Sequence, residues 1–140
     1  MGKEITLKNY ELLQITSSLA EFMKIELPVK VGWNVKKNMT NIQSVFKSFV
    51  DFENDLVSKY AVKIDGKIQY KEDGQPKLYP KTETEFNEKH NELVNCESTV
   101  DILPIKLSDI LDKNIKPSLL FNLDFMIEDD LEEEIKPENE

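Results

Sequence analysis

Val35, Met39, Ile42, Phe46, Phe49, Leu56 and Tyr60 step along the chain by 4, 3, 4, 3, 7 and 4 residues. That spacing returns to one side of an α-helix every turn, whereas the faces of a strand alternate at every residue. It predicts a helix over 35–60, about 26 residues and ~39 Å long, with a seam like that of a coiled coil. The one missing step falls at Glu53, beside Phe52, and Val45 with Phe52 widens the stripe. A helix with one apolar side needs other helices to cover it, so the rest of the chain must supply that cover.

The flanking segments are shorter. Glu4 to Leu7 alternate and read as a strand. Asn9 is a good N-cap for a helix to about Lys24, with Leu12, Ile15, Leu19, Phe22 and Met23 on its apolar side. Pro28 breaks the pattern, and Val29, Val31 and Trp33 alternate, so 29–33 is expected to be extended. Asp65-Gly66 and Asp73-Gly74 punctuate residues 62–79, and Asp-Gly between alternating residues signals tight hairpin turns. A small three-stranded meander, or one hairpin and a loop, follows, with Pro76 confining the last strand to an edge. Thr82 with Glu85 fits a capping box for a helix to about Cys96, whose apolar side is thin: Phe86, Leu93 and Val94, with His90 between them. Val100, Ile102, Ile105 and Leu107 read as extended, and Pro117 suits the first turn of a last short helix.

The expected fold is α+β. It is a long antiparallel helical hairpin with a small β-meander at its tip, plus short N-terminal and 100–107 strands and a short C-terminal helix. The second arm of the hairpin, about 15 residues or ~22 Å, covers little more than half of the first. The helix over 9–24 and the last helix, or a second copy of the protein, must cover the rest.

Charge divides the chain unevenly. Residues 127–140 hold eight acidic residues and one lysine, while the net charge of the whole chain is −9. The body is thus close to neutral. We expect a single domain over 1–127 and an acidic, disordered tail over 128–140. Nothing concentrates positive charge, so no direct nucleic-acid partner is expected. No apolar run approaches the ~18 residues of a membrane span, so no membrane partner is expected either.

The basic residues are eighteen lysines and no arginine. Lysine offers a mobile point charge in place of the planar fork that grips phosphate or carboxylate by two bonds. One His and one Cys cannot close a zinc site. His90 lies on the thin stripe and reads as a half-buried structural side chain. Cys96 ends its helix, where the polarity does not favour a thiolate. Six steps separate the two, which places them about 120° apart on different faces. No phosphate-binding glycine loop and no nucleophile elbow occurs. No cofactor, no metal site and no enzymatic activity are expected.

The segments EITLKNYEL, ELPVKV and LLFNLDFMIED, in that order, resemble a family of small uncharacterised proteins encoded by tailed phages and prophages of low-GC Gram-positive bacteria. The resemblance runs from about residue 4 to 129 and brings no catalytic motif with it. It implies a phage gene product made in the host bacterial cytoplasm, with packaging in the virion left open. An AT-rich genome also accounts for lysine replacing arginine throughout. The expected function is a non-enzymatic interaction protein: a structural, assembly or adaptor component acting through helical surfaces. Trp33, Val35, Met39, Ile42 and Phe46 are the expected contacts to a protein partner or to a second copy. The alternative is a phage-encoded inhibitor of a host defence nuclease, anti-CRISPR-like. Asp129, Asp130, Glu132, Glu133 and Glu134 would then occupy a basic channel.

Overall fold

The computed structural model describes residues 2–131 of the protein. Its elements in chain order are β1 (Lys3–Lys8), α1 (Asn9–Phe22), α2 (Val29–Tyr60), β2 (Lys63–Ile64), β3 (Lys67–Ile68), α3 (Pro80–Val94), β4 (Glu97–Ile102), β5 (Ile105–Lys106), α4 (Pro117–Asn122) and β6 (Ile127–Glu128). Short 3-10 turns lie over Leu107–Asp109 and Asp124–Met126. The fold is α+β, as expected.

α2 is longer than its stripe predicts. It has 32 residues and follows Pro28, so 29–33 is helical and not extended. Val31 and Val35, one turn apart, are both buried, whereas Val29 and Trp33 face solvent. Alternation and helical spacing both fit so short a run, and burial against α1 decides for the helix. At 1.5 Å per residue α2 is about 48 Å long.

Two helices cover it. A short loop returns α1 against the first half of α2, and the meander returns α3 against the second half. The main core holds Leu12, Ile15, Leu19 and Phe22 of α1 with Val31, Val35 and Ile42 of α2. A smaller core holds Leu56 and Tyr60 of α2 with Phe86 of α3. The two covering helices meet at Asn9. Its side chain donates to the Leu93 carbonyl at 2.9 Å, and its backbone N–H donates to the Cys96 carbonyl at 3.0 Å. Asn9 therefore does not cap α1 with its side chain. It joins the carbonyl end of α3 to the N–H end of α1, an alignment in which unpaired groups and helix dipoles complement each other. At the entry to α1, Glu11 instead accepts from the Lys8 N–H.

β1 pairs antiparallel with β4, from Lys3↔Ile102 to Lys8↔Glu97. Leu7, Val100 and Ile102 of this pair are buried in the main core. β5 does not join them; it pairs in parallel with β6, Ile105↔Ile127 and Lys106↔Glu128. The chain thus remains paired past residue 127. At the far end of α2, Asp65 and Gly66 both have positive φ, 53° and 77°, as a tight hairpin turn between β2 and β3 requires. At the second Asp-Gly only Gly74 does, with φ 88°. That turn is wider, and Lys71 N–H donates to the Gln75 carbonyl across it. Val62, Gln69 and Lys77 close a ring of backbone hydrogen bonds, giving the meander its third edge. α3 begins at Pro80, with Tyr79 and not Thr82 at its cap.

Candidate functional site

A groove of about 610 Å³ lies between α2 and α3. Phe52, Asp55, Leu56 and Lys59 line it from α2; Lys89, Glu92 and Leu93 line it from α3, with Cys96 just beyond. Both sets follow steps of three and four residues, which bring side chains to one strip of a helix. The walls are mostly carbon and sulfur, and the charges stand at the rim. Phe52 is 58% exposed, as much as Trp33 near the start of the same helix.

Polar side chains fasten the two helices together. The Tyr60 hydroxyl donates to a Glu85 carboxylate oxygen at 2.8 Å. This bond holds the Glu85 carboxyl below the ordinary carboxylate range. The Tyr60 ring meets Phe86 edge-on at 6.0 Å, and the His90 ring stacks on that of Phe86 at 5.6 Å. His90 Nε2 lies 2.8 Å from a Glu53 carboxylate oxygen. The gap in the apolar stripe at Glu53 and the polar step in the thin stripe at His90 are thus two halves of one contact. Cys96 is an exposed free thiol. Among the described residues, no three His, Cys, Asp or Glu side chains converge where a metal ion would sit. Among the same residues, no helix is long and apolar enough to cross a membrane.

The expected contact residues fall in different places. Val35 and Ile42 are fully buried in the chain's own core. α1 and β4 cover them, so they form no outward surface, and that expectation is corrected. Met39 and Phe46 are half-buried and pack against the same core. Trp33 is exposed, with the Lys37 ammonium 5.4 Å from its ring centre. Asp129 is exposed, while Asp130 accepts from both the N–H and the hydroxyl of Ser108. Asp130 therefore lines a polar cavity of about 500 Å³ with Lys30, Lys106 and Glu128. Glu132, Glu133 and Glu134 lie outside the described residues.

Two features depart from what the sequence pattern predicts. Phe52 counted as part of the buried stripe, yet it stands at the mouth of the groove. Asn38 interrupts the stripe between Val35 and Ile42. It is fully buried. Its amide nitrogen donates to the Leu103 carbonyl at 2.9 Å, and its amide oxygen accepts from the Leu103 N–H at 2.7 Å. A lone amide on an apolar stripe was the available signal, since a buried Asn needs its partners. Comparison of the chain with protein-family models, curated proteins and solved structures finds no match.

Proposed function

We propose that this protein is a non-enzymatic interaction component of a tailed phage, structural, assembly or adaptor in role, that binds protein through its α2–α3 face. The observation that carries the reading is the open groove with Phe52 at its mouth. An aromatic ring over an apolar floor inside a charged rim is the make-up of a protein-contact hot spot. The polar groups beside it are engaged in joining helices: Tyr60 with Glu85 and His90 with Glu53. A reaction centre would require polar groups converging on a substrate, and Leu56 and Leu93 lie beneath Phe52 in the groove. The phage origin rests on the order and wording of the three segments quoted above.

The test is capture from phage-infected cells with tagged full-length protein, beside mass spectrometry of purified particles. Wild-type protein is expected to retain a defined phage or host protein, untagged copies of itself included, and Phe52→Asp to lose it by at least tenfold. Equal retention by both would remove the groove from the reading. A defined turnover abolished by His90→Ala would replace it with an enzyme.

A second reading, an inhibitor of a host defence nuclease, is favoured by the concentration of eight acidic residues within 127–140. A run of carboxylates suits a basic nucleic-acid channel. Deleting 132–140 is expected to abolish inhibition in that case and to make the residual binding insensitive to salt.

A further inference from the structure

We infer that the occupant of the α2–α3 groove is a second copy of this chain, related to the first by a twofold axis crossing the groove at right angles. The inference rests on the reading of the groove as a protein-binding face and names what fills it.

The rim carries the argument. Asp55 and Lys59 of α2 and Lys89 and Glu92 of α3 all line the groove. α2 runs toward the meander and α3 runs away from it. Lys59 therefore stands one turn nearer the meander than Asp55, and Lys89 stands nearly one turn nearer than Glu92. Both ammonium groups mark one end of the groove and both carboxylates the other. The face is a surface dipole over an apolar floor.

A dipole of this kind complements itself when turned end for end. An axis across the groove lays α2 antiparallel on α2 of the second copy and α3 antiparallel on α3. Asp55 then faces Lys59 of the second copy, and Glu92 faces its Lys89, each contact occurring twice as an isologous interface requires. An axis along the groove would instead set Lys59 against Lys89 and Asp55 against Glu92, which like-charge repulsion disfavours. The cations are available for this. Lys89 contacts Glu85 at 3.6 Å while 46% exposed, and the Lys59 ammonium lies over the Tyr60 ring, 5.6 Å from its centre. Such surface arrangements are held weakly.

The size of the face sets the expected strength. Two helices of about 10 Å width over about 22 Å give roughly 450 Å² per copy. This is less than the ~800 Å² per partner of a tight complex, so association in the micromolar range is expected.

Sedimentation velocity of the full chain, from about 5 to about 500 μM to span that range, tests the inference. Mass is expected to rise from monomer to dimer and the rise to weaken with salt. Lys59→Glu turns two attractions into two repulsions and is expected to weaken the dimer about tenfold. The double reversal Asp55→Lys with Lys59→Glu restores a self-complementary rim and is expected to recover most of that loss. These side chains are exposed, and circular dichroism verifies that each variant is folded. Reaction of Cys96 with a thiol reagent, in the same groove, is expected to slow as the dimer forms. A monomer at every concentration overturns the second copy. So does a double reversal weaker than the single one. If that monomer still captures another protein through Phe52, the binding face stands with a different occupant. Dimers indifferent to both Phe52→Asp and the rim reversals overturn the inference and the groove reading together.

Discussion

Asn38 shows how one polar side chain fixes a helix against a strand. Its amide meets the N–H and the carbonyl of Leu103 as a neighbouring strand would, and Asn41 adds a bond to the Asp101 carbonyl at 3.0 Å. Asn38→Ala leaves both Leu103 groups without partners beside the core. The expected loss is about 3 kcal/mol, read as a lower urea midpoint with an unchanged slope. At the other end of the chain, the Ser108 hydroxyl and then its N–H hold Asp130 below its ordinary 3.8. A carboxyl lowered on folding stabilises the folded form fully above its unfolded value. That stabilisation disappears as pH falls through the folded value. The pairing of Asp130 with Ser108 is therefore intact at neutral pH and is lost in acid, below the ordinary aspartate range. An NMR titration is expected to show Ser108→Ala raising the Asp130 pKa toward 3.8. An unmoved titration would mean that Ser108 does not hold the carboxylate.

At the scale of elements, the stripe from Val35 to Tyr60 was legible because helical periodicity persists over seven turns. The start of α2 was not, because Val29, Val31 and Trp33 satisfy two periods at once. The two Asp-Gly pairs were legible as turns but not as turn types. Only the first has both centres at positive φ. The difference comes from how the strands are paired on either side, which no dipeptide encodes. Gly66, at φ 77°, occupies backbone that a Cβ disfavours. Gly66→Ala is expected to destabilise the protein by about 1 kcal/mol. Amide exchange of β2 and β3 is expected to quicken more than that of α1.

At the scale of the molecule, α1 and α3 lie end to end along α2, joined at Asn9. The cover that the long stripe demands is mostly present within one chain. What remains open is the groove beside α3. The two hydrophobic clusters share α2 but no other helix, so their stabilities are separable. Phe86→Ala is expected to cost about 3 kcal/mol in the smaller cluster. Hydrogen exchange is expected to accelerate through α3 and the meander and to leave α1 and β4 protected. Uniform acceleration across all helices would show that the chain opens as one unit.

Local patterning determined the class of fold, the long helix, the hairpin that carries the meander and the proline that opens α4, because each depends on contacts within a few residues. Tertiary packing alone decided which side of the stripe is spent inside. Val35 and Ile42 went to the core because α1 and β4 reach them, while Phe52, on the same helix, stayed outside. It also decided the pairing of Glu53 with His90 and of Asn38 with Leu103, 37 and 65 residues apart. Periodicity specifies that a face is apolar; only the positions of the other elements specify what covers it.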